Sequence, residues 1–458
     1  MSEALRIDAY VAGEGALLDE TPNALAFANA RVAAREQSLM AWPGAPDPNS
    51  PAHPDVGWGV VLPDDDALDD SARARLDGAP AALQRLFAAR PGAKVLRYRG
   101  DPRRLWVDGQ ARPLVGTPRG AGAGRIPTYL LLFGSPQALP WALQYQAGLS
   151  GLYVGRLDLD DDDDDDALGR YVDALLAAQP PAPAQRAQSL VFAVTHDNDP
   201  DDITHLMKPA VAMPVHRALA ADADTRAGAR LLEGKDANVD ALLDVLSREK
   251  PALVVCSSHG LTSKLDSAQA RARLGAPVDT RGAAVDPQAV AAAVAASGAI
   301  WYVHACCSGG SDDGSVFAPL LSDGPIREML DAVGALGARS SPLARALLGG
   351  PHPARAFIGH VEPTFNWTLI DNQQLLADHV RVALVNGLYS GSTIGRALSG
   401  FTVGVGALLS QSRDALTRWS GDAGVDRKKI AREATTAKLT AFDRTSFVLH
   451  GDPAATLI

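Results

Sequence analysis

The stretches that decide the fold are residues 252–260, Ala-Leu-Val-Val-Cys-Ser-Ser-His-Gly, and residues 299–310, Ala-Ile-Trp-Tyr-Val-His-Ala-Cys-Cys-Ser-Gly-Gly. Each is a short apolar run rich in β-branched or aromatic residues that stops abruptly in Ser, His and Gly. Such runs read as strands buried on both faces, the kind that parallel sheets contain. Residues 239–248 precede the first run and residues 287–296 lie between the two, both with the apolar spacing of helices. Strand, helix, strand in that rhythm implies a mostly parallel α/β sheet with helices on both faces. The loops at the carboxyl ends of its strands open on one edge, which sets His259-Gly260 beside His304–Gly310.

Working outward, residues 189–194, 354–359 and 447–449 read as further strands of this unit, and residues 210–220 as a helix. Upstream, residues 129–133 (Tyr-Leu-Leu-Leu-Phe), closed by Gly134, Ser135 and Pro136, and residues 153–157 read as strands of a smaller α/β subdomain. Residues 167–178 form its helix, and the Pro-rich segment 180–185 links it onward. The first 120 residues are rich in Ala, Pro and Gly, with candidate strands at 58–62 and 95–99 and helical spacing over 70–89. The organisation expected is therefore residues 1–124 as an N-terminal region, a candidate for regulation, residues 125–183 as the smaller subdomain, and residues 184–458 as the main domain.

Composition narrows the function. At 458 residues, 47% hydrophobic and 21% charged, the chain has the make-up of a globular protein rather than a disordered one. Lys plus Arg number 43 against 53 Asp plus Glu, and seven of the acids form the unbroken run Asp160–Asp166, so the remainder is nearly balanced. With no basic stripe, nucleic acid is not an expected partner. No stretch of 18 apolar residues and no basic-then-apolar leader is seen, so a cytoplasmic location without membrane contact is expected. Three cysteines, two of them adjacent, make no disulfide framework.

The two loop ends then carry the chemistry. A thiol beside an imidazole is the minimum for thiolate nucleophilic catalysis, because the base draws off the thiol proton and later protonates the leaving amine. A glycine after the base lets the main chain approach a substrate carbonyl, and its N–H can join that of the nucleophile in an oxyanion hole. Zinc held by His259, His304, Cys306 and Cys307 is a competing reading, disfavoured because adjacent cysteines strain a tetrahedral site. Ser308–Ser315 lacks the Gly-Lys-Ser/Thr ending of a phosphate loop, and its two Asp would repel phosphate. The Asp160–Asp166 run reads as a solvated loop with at most loose cation binding, and Cys256 and Cys307 read as packing residues.

In this order, apolar strand, His-Gly, apolar strand, Ala-Cys-x-Ser-Gly (Ala305–Gly309), the chain resembles the caspase-like cysteine peptidases of clan CD, in particular gingipain-type and bacterial CHAT-type members. The segments 129–141, 343–350 with 354–367, and the ending 447–458 with its Gly-Asp-Pro turn are also similar to that family. The resemblance implies the caspase-like fold, with Cys306 as nucleophile, His259 as base, and the N–H groups of Gly260 and Cys306 as the oxyanion hole. Asp202-Ile203-Thr204-His205 resembles the gingipain stretch whose aspartate sits at the base of the S1 pocket, which implies substrate binding by Asp202 and cleavage after basic residues. By the same alignment the acid that steadies the catalytic His falls near His196 or Asp197. The residue two before the cysteine is His304, where basic-specific members often carry an acid. The implied activity is that of an intracellular endopeptidase acting on protein or peptide substrates, with no metal or organic cofactor. Its activation by a small molecule or partner protein, and a role in anti-phage defence, follow by analogy. The rival reading is a catalytically silent caspase-like receptor or scaffold.

Overall fold

The computed structural model describes residues 9–10, 46–65, 67–159, 166–178, 180, 182–197, 199–262, 265–321, 323–366, 369–371, 374–375, 378–402, 404–421 and 426–458. Asp160–Asp165 of the acidic run lie outside them. Twelve strands form one sheet: β1 (Trp58–Pro63), β2 (Lys94–Tyr98), β3 (Arg104–Val107), β4 (Gln110–Pro113), β5 (Tyr129–Phe133), β6 (Tyr153–Leu157), β7 (Gln185–Ala193), β8 (Gly228–Glu233), β9 (Pro251–Ser257), β10 (Ile300–His304), β11 (Ala356–His360) and β12 (Phe447–Gly451). Their order across the sheet is β4-β3-β2-β1-β5-β6-β12-β11-β10-β9-β7-β8.

The sheet has two halves. In the first, β2, β1, β5 and β6 are mutually parallel, and β3 and β4 continue the edge as antiparallel strands. In the second, β11, β10, β9, β7 and β8 are parallel. The closing strand β12 is the seam, parallel to β6 and antiparallel to β11. Consequently the carboxyl ends of the two parallel sets lie at opposite edges of one sheet. The limit expected at residue 124 does not mark a break, because Trp58 of β1 pairs with Tyr129 of β5 inside the first half. The Gly-Asp-Pro turn after β12 pins the seam: Asp452 accepts Trp58 Nε1–H at 3.0 Å, is ion-paired with Arg90, and its N–H donates to Tyr171 Oη at 2.8 Å.

Both faces are covered, as strands this apolar require; β5, β9, β10 and β11 are buried along their whole length. On one face pack α1 (Ala81–Ala88), α2 (Ala167–Leu176), α3 (Val239–Arg248), α4 (Pro287–Ala293) and α5 (Pro342–Gly349), with Leu83, Tyr171, Leu242, Val290 and Leu347 in a core that spans both halves. The helical spacing read over 70–89 is cut at Gly78 and Pro80, and only Asp70–Arg73 and Ala81–Ala88 are helical, because Gly78 takes a positive φ of 78° and Pro80 cannot continue the first turn. Asn238 caps α3 and Asp286 caps α4 by accepting N–H groups of the first turn, which fixes where the chain leaves the sheet edge that carries His259 and Cys306. Two long helices, Val405–Gly421 and Arg427–Thr445, pack as a hairpin before β12.

Candidate active site

Strands β9 and β10 are parallel neighbours with Ser257 opposite His304, so the chain leaves the sheet twice on the same edge: into Ser258-His259-Gly260 and into Ala305-Cys306-Cys307. The Ser258 N–H still donates to the His304 carbonyl at 3.2 Å, which keeps the two exits together. Gly260 is the contact. A Cβ there would stand 2.0 Å from the Cys306 carbonyl oxygen and 2.9 Å from the Cys306 nitrogen, so only glycine lets the residue after the imidazole lie on the main chain of the thiol residue.

His259 is 4% exposed, and its Nε2 lies 2.8 Å from Asp202 Oδ2. The other carboxylate oxygen of Asp202 accepts the Thr204 N–H at 2.8 Å and the Thr204 hydroxyl. Burial alone would raise the Asp202 pKa, but the bonds to His259 and Thr204 prevail and hold its carboxyl well below the usual range. An ionised carboxylate on Nε2 favours the tautomer with Nε2–H, in which Nδ1 is the basic nitrogen. The His196 ring covers one face of His259 at 5.2 Å between centroids, and the His196 main-chain N–H donates to Thr204 Oγ1 at 3.1 Å.

This arrangement corrects two expectations. The Asp202 carboxylate, expected to bind a basic side chain of a substrate, is engaged by His259 and Thr204. Asp197, expected as the acid that orients the His, is exposed, and Asp202 takes that place. The reason is local geometry. The turn after β7 closes with the Asp199 carbonyl bonded by the Asp202 N–H, and Asp202 then stands just before the helical turn Thr204–Met207, aimed back at the sheet edge.

Cys306 is fully buried. Its Sγ accepts the Thr364 N–H at 3.3 Å and lies 3.9 Å from the Thr364 carbonyl oxygen, and around it pack Leu265, Leu274, Phe317 and Phe365. Phe365 meets Phe317 edge-on at 4.8 Å between centroids. The segment after β11 therefore closes over the thiol. That segment is tied down by Glu362, whose carboxylate accepts the Ser315 hydroxyl at 2.6 Å and the Val316 N–H at 3.0 Å, while its carbonyl accepts the Cys307 N–H at 3.3 Å.

Cys307 is a feature that spacing did not reveal. It is a non-glycine residue at φ 56°, in the left-handed region that disfavours a Cβ, and its carbonyl is pressed against Gly275, where a Cβ would stand 2.0 Å away. Such a conformation persists only where surrounding contacts over-determine it, and it forces the chain to turn sharply just after Cys306. Ser308 completes the turn, donating to the Val303 carbonyl at 2.9 Å and accepting the His360 N–H at 3.1 Å. His304 points into the core instead, with Nδ1 3.1 Å from Tyr302 Oη, and burial pushes its pKa down to about 3.

Cys256 lies buried within β9, its thiol pushed up to about 12 by burial. Among the described residues no group of three or more His, Cys, Asp or Glu side chains is arranged to hold a metal ion, and no helix is long and apolar enough to cross a membrane. No protein-family model matches this chain, and no curated protein matches it.

Proposed function

We propose that the chain is a cysteine endopeptidase of the caspase-like kind, with Cys306 as nucleophile, His259 as general acid–base and Asp202 as the residue that orients His259. The observation that carries this reading is the meeting of two adjacent strand ends: Gly260 against the Cys306 main chain, with the His259 imidazole held by Asp202 through Nε2. The spatial order β8-β7-β9-β10-β11-β12, with only the last strand antiparallel, agrees with the caspase-like arrangement.

In the proposed cycle, His259 Nδ1 takes the thiol proton and the Cys306 thiolate attacks the scissile carbonyl. The N–H groups of Gly260 and Cys306 hold the developing oxyanion. The amine leaves with the proton from His259, a thioester remains on Cys306, and water activated by the same imidazole releases the acid and restores the thiol. The closed segment at Thr364 and Phe365 supports a latent enzyme: a peptide reaches Cys306 only after that segment moves, so an activating small molecule or partner would act by favouring the open arrangement.

The test is a fluorogenic peptide library varied at P1, assayed with wild type, Cys306→Ala and Cys307→Ala, each with and without cell extract. The expected result is turnover by wild type and Cys307→Ala and none by Cys306→Ala. Absence of turnover and of Cys306 labelling by peptidyl electrophiles under every condition would favour a silent binding module.

A further inference from the structure

His259–Leu261 is the central strand of a separate three-stranded sheet. On one side it pairs antiparallel with Pro277–Val278, His259 opposite Val278 and Gly260 opposite Pro277. On the other side lies a segment from the far N-terminus: Ala9–Tyr10 runs parallel to it, Ala9 opposite Gly260 and Tyr10 opposite Leu261. A strand paired on one side only exposes unpaired N–H and C=O groups along its other side, and those groups accept any extended chain of suitable length. We propose that this edge is a strand-addition site for an extended polypeptide beside Cys306, and that the chain's own Ala9–Tyr10 is its built-in occupant.

Three observations meet here. First, the pairing is made at Gly260, the residue whose missing side chain brings it onto the Cys306 main chain, so whatever pairs with this edge lies alongside the thiol loop. Second, pairing through main-chain groups is tolerant of side chains, which suits a site that must accept polypeptide as a class; affinity comes from the ladder and selectivity from neighbouring side-chain contacts. Third, the N-terminal sequence is compatible with an extended strand: Leu5-Arg6-Ile7-Asp8-Ala9-Tyr10-Val11-Ala12 contains neither Pro nor Gly and includes β-branched and aromatic residues.

The consequence rests on the peptidase reading. A tethered strand competes at an effective concentration that for flexible tethers is of millimolar order, so a free peptide that binds more weakly than this is held off. Substrate must displace Ala9–Tyr10, and removing the N-terminal segment should lower KM at least tenfold and leave kcat nearly unchanged.

The experiment compares the full chain, a chain lacking residues 1–12, and the full chain carrying Ala9→Pro with Tyr10→Pro. The probe is a fluorescent peptide with the sequence of residues 3–14, together with the same peptide N-methylated at the Ala9 and Tyr10 positions. Expected are at least tenfold tighter binding of the probe by the truncated chain than by the full chain, and at least tenfold weaker binding of the N-methylated peptide. Amide exchange at Gly260 should rise in the truncated and proline chains and fall again when probe is added to the truncated chain, while the Leu261 N–H, bonded to the Ala276 carbonyl at 3.0 Å on the other side of the strand, serves as the control. If the truncated chain does not fold, as judged by its urea transition, the proline chain decides through exchange at Gly260. Equal probe binding by full and truncated chains, equal binding of the N-methylated probe, or unchanged exchange in the proline chain would overturn the proposal. Peptidase turnover measured on the same samples separates the two ideas. Tight probe binding without turnover keeps the strand site and removes the enzyme, whereas turnover with the same KM in all three chains and no probe binding keeps the enzyme and removes the strand site.

Discussion

In the first half of the sheet a buried charge at a carboxyl end is Arg156 on β6; in the second the Asp202–His259 pair lies beyond β7 and β9. Arg156 is fully buried, yet its donors all meet partners: Gln144 Oε1 at 3.2 Å, the Gly134 carbonyl at 2.8 Å and the Leu139 carbonyl at 2.6 Å, with the guanidinium over Trp141. It binds a strand end, a loop and a helix together. The second half instead joins its ionisable side chains, with Nε2 of His259 fixed by Asp202 and Gly260, the residue after it, lying on the main chain of the thiol residue, and with a strained residue, Cys307, next to the candidate nucleophile. Two parallel layers of the same kind thus differ in what their loop ends do. One is closed by a buried structural cation, and the other is arranged around a buried imidazole–carboxylate pair.

Acid should separate the halves most. Buried imidazoles lie in the second half and at the seam: burial pushes His304 and His450 down to about 3 and His360 well below its ordinary value. Unfolding restores a value near 6.5, so between pH 6.5 and 3 the unfolded chain binds protons that the folded chain does not. Their contribution to stability is complete above pH 6.5 and is lost as pH falls through that window, by up to about 1.4 kcal/mol per pH unit for each ring. Urea unfolding at pH 7.5, 6 and 5, read by tryptophan fluorescence, should show a steep decline; a flat profile would mean that these rings are not buried neutral.

Arg156→Met should destabilise by about 3–5 kcal/mol, because two carbonyls and Gln144 lose their partner in a dry site. The check is the urea midpoint, with reactivity of the Cys306 thiol in the folded variant expected to match wild type. Asp202→Asn should leave the urea midpoint much less affected while lowering turnover about 100-fold, since the amide does not hold His259 as an ionised carboxylate does. If turnover survived at more than half, Asp202 would be a structural partner only.

The smallest effect concerns Glu362. Burial outweighs its bonds to Ser315 and Val316 and pushes its carboxyl up to about 7 from an ordinary 4.5. The folded chain therefore keeps a proton that the unfolded chain has lost between those values, and stability contributed here is present at low pH and declines as pH rises from 4.5 to 7. Glu362→Gln should be no more stable than wild type at pH 4 and gain on it progressively up to pH 7, by on the order of 2 kcal/mol.

Much of the sheet was legible because its strands are long enough and apolar enough to have one reading. Residues 129–133 and 153–157 are strands with those limits, and β9, β10 and β11 differ from the expected runs by one or two residues at their ends. Three strands left weaker signals. Arg104–Val107 and Gln110–Pro113 form an edge hairpin whose side chains are partly exposed, and Gly228–Glu233 is an edge strand carrying Arg and Glu, so neither shows a clean apolar run. At the candidate site, His259, Gly260 and Cys306 stood out because each follows a buried strand. Asp202 was singled out for another task, since four acids between 197 and 202 have equal claims until the turn after β7 shows which one faces His259. The strain at Cys307 and the closure by Thr364 depend on contacts between distant segments, which no local pattern encodes.

The central claim is that Cys306 is a nucleophile served by His259. The most direct measurement is mass-spectrometric mapping of covalent modification by a peptidyl acyloxymethyl ketone, with rates taken for wild type, His259→Ala and Cys307→Ala, each with residues 1–12 removed to expose the edge. The account predicts adducts on Cys306 in wild type and Cys307→Ala at similar rates, and at least a hundredfold slower modification in His259→Ala. Modification at Cys307, or at Cys306 with a rate indifferent to His259, would contradict it.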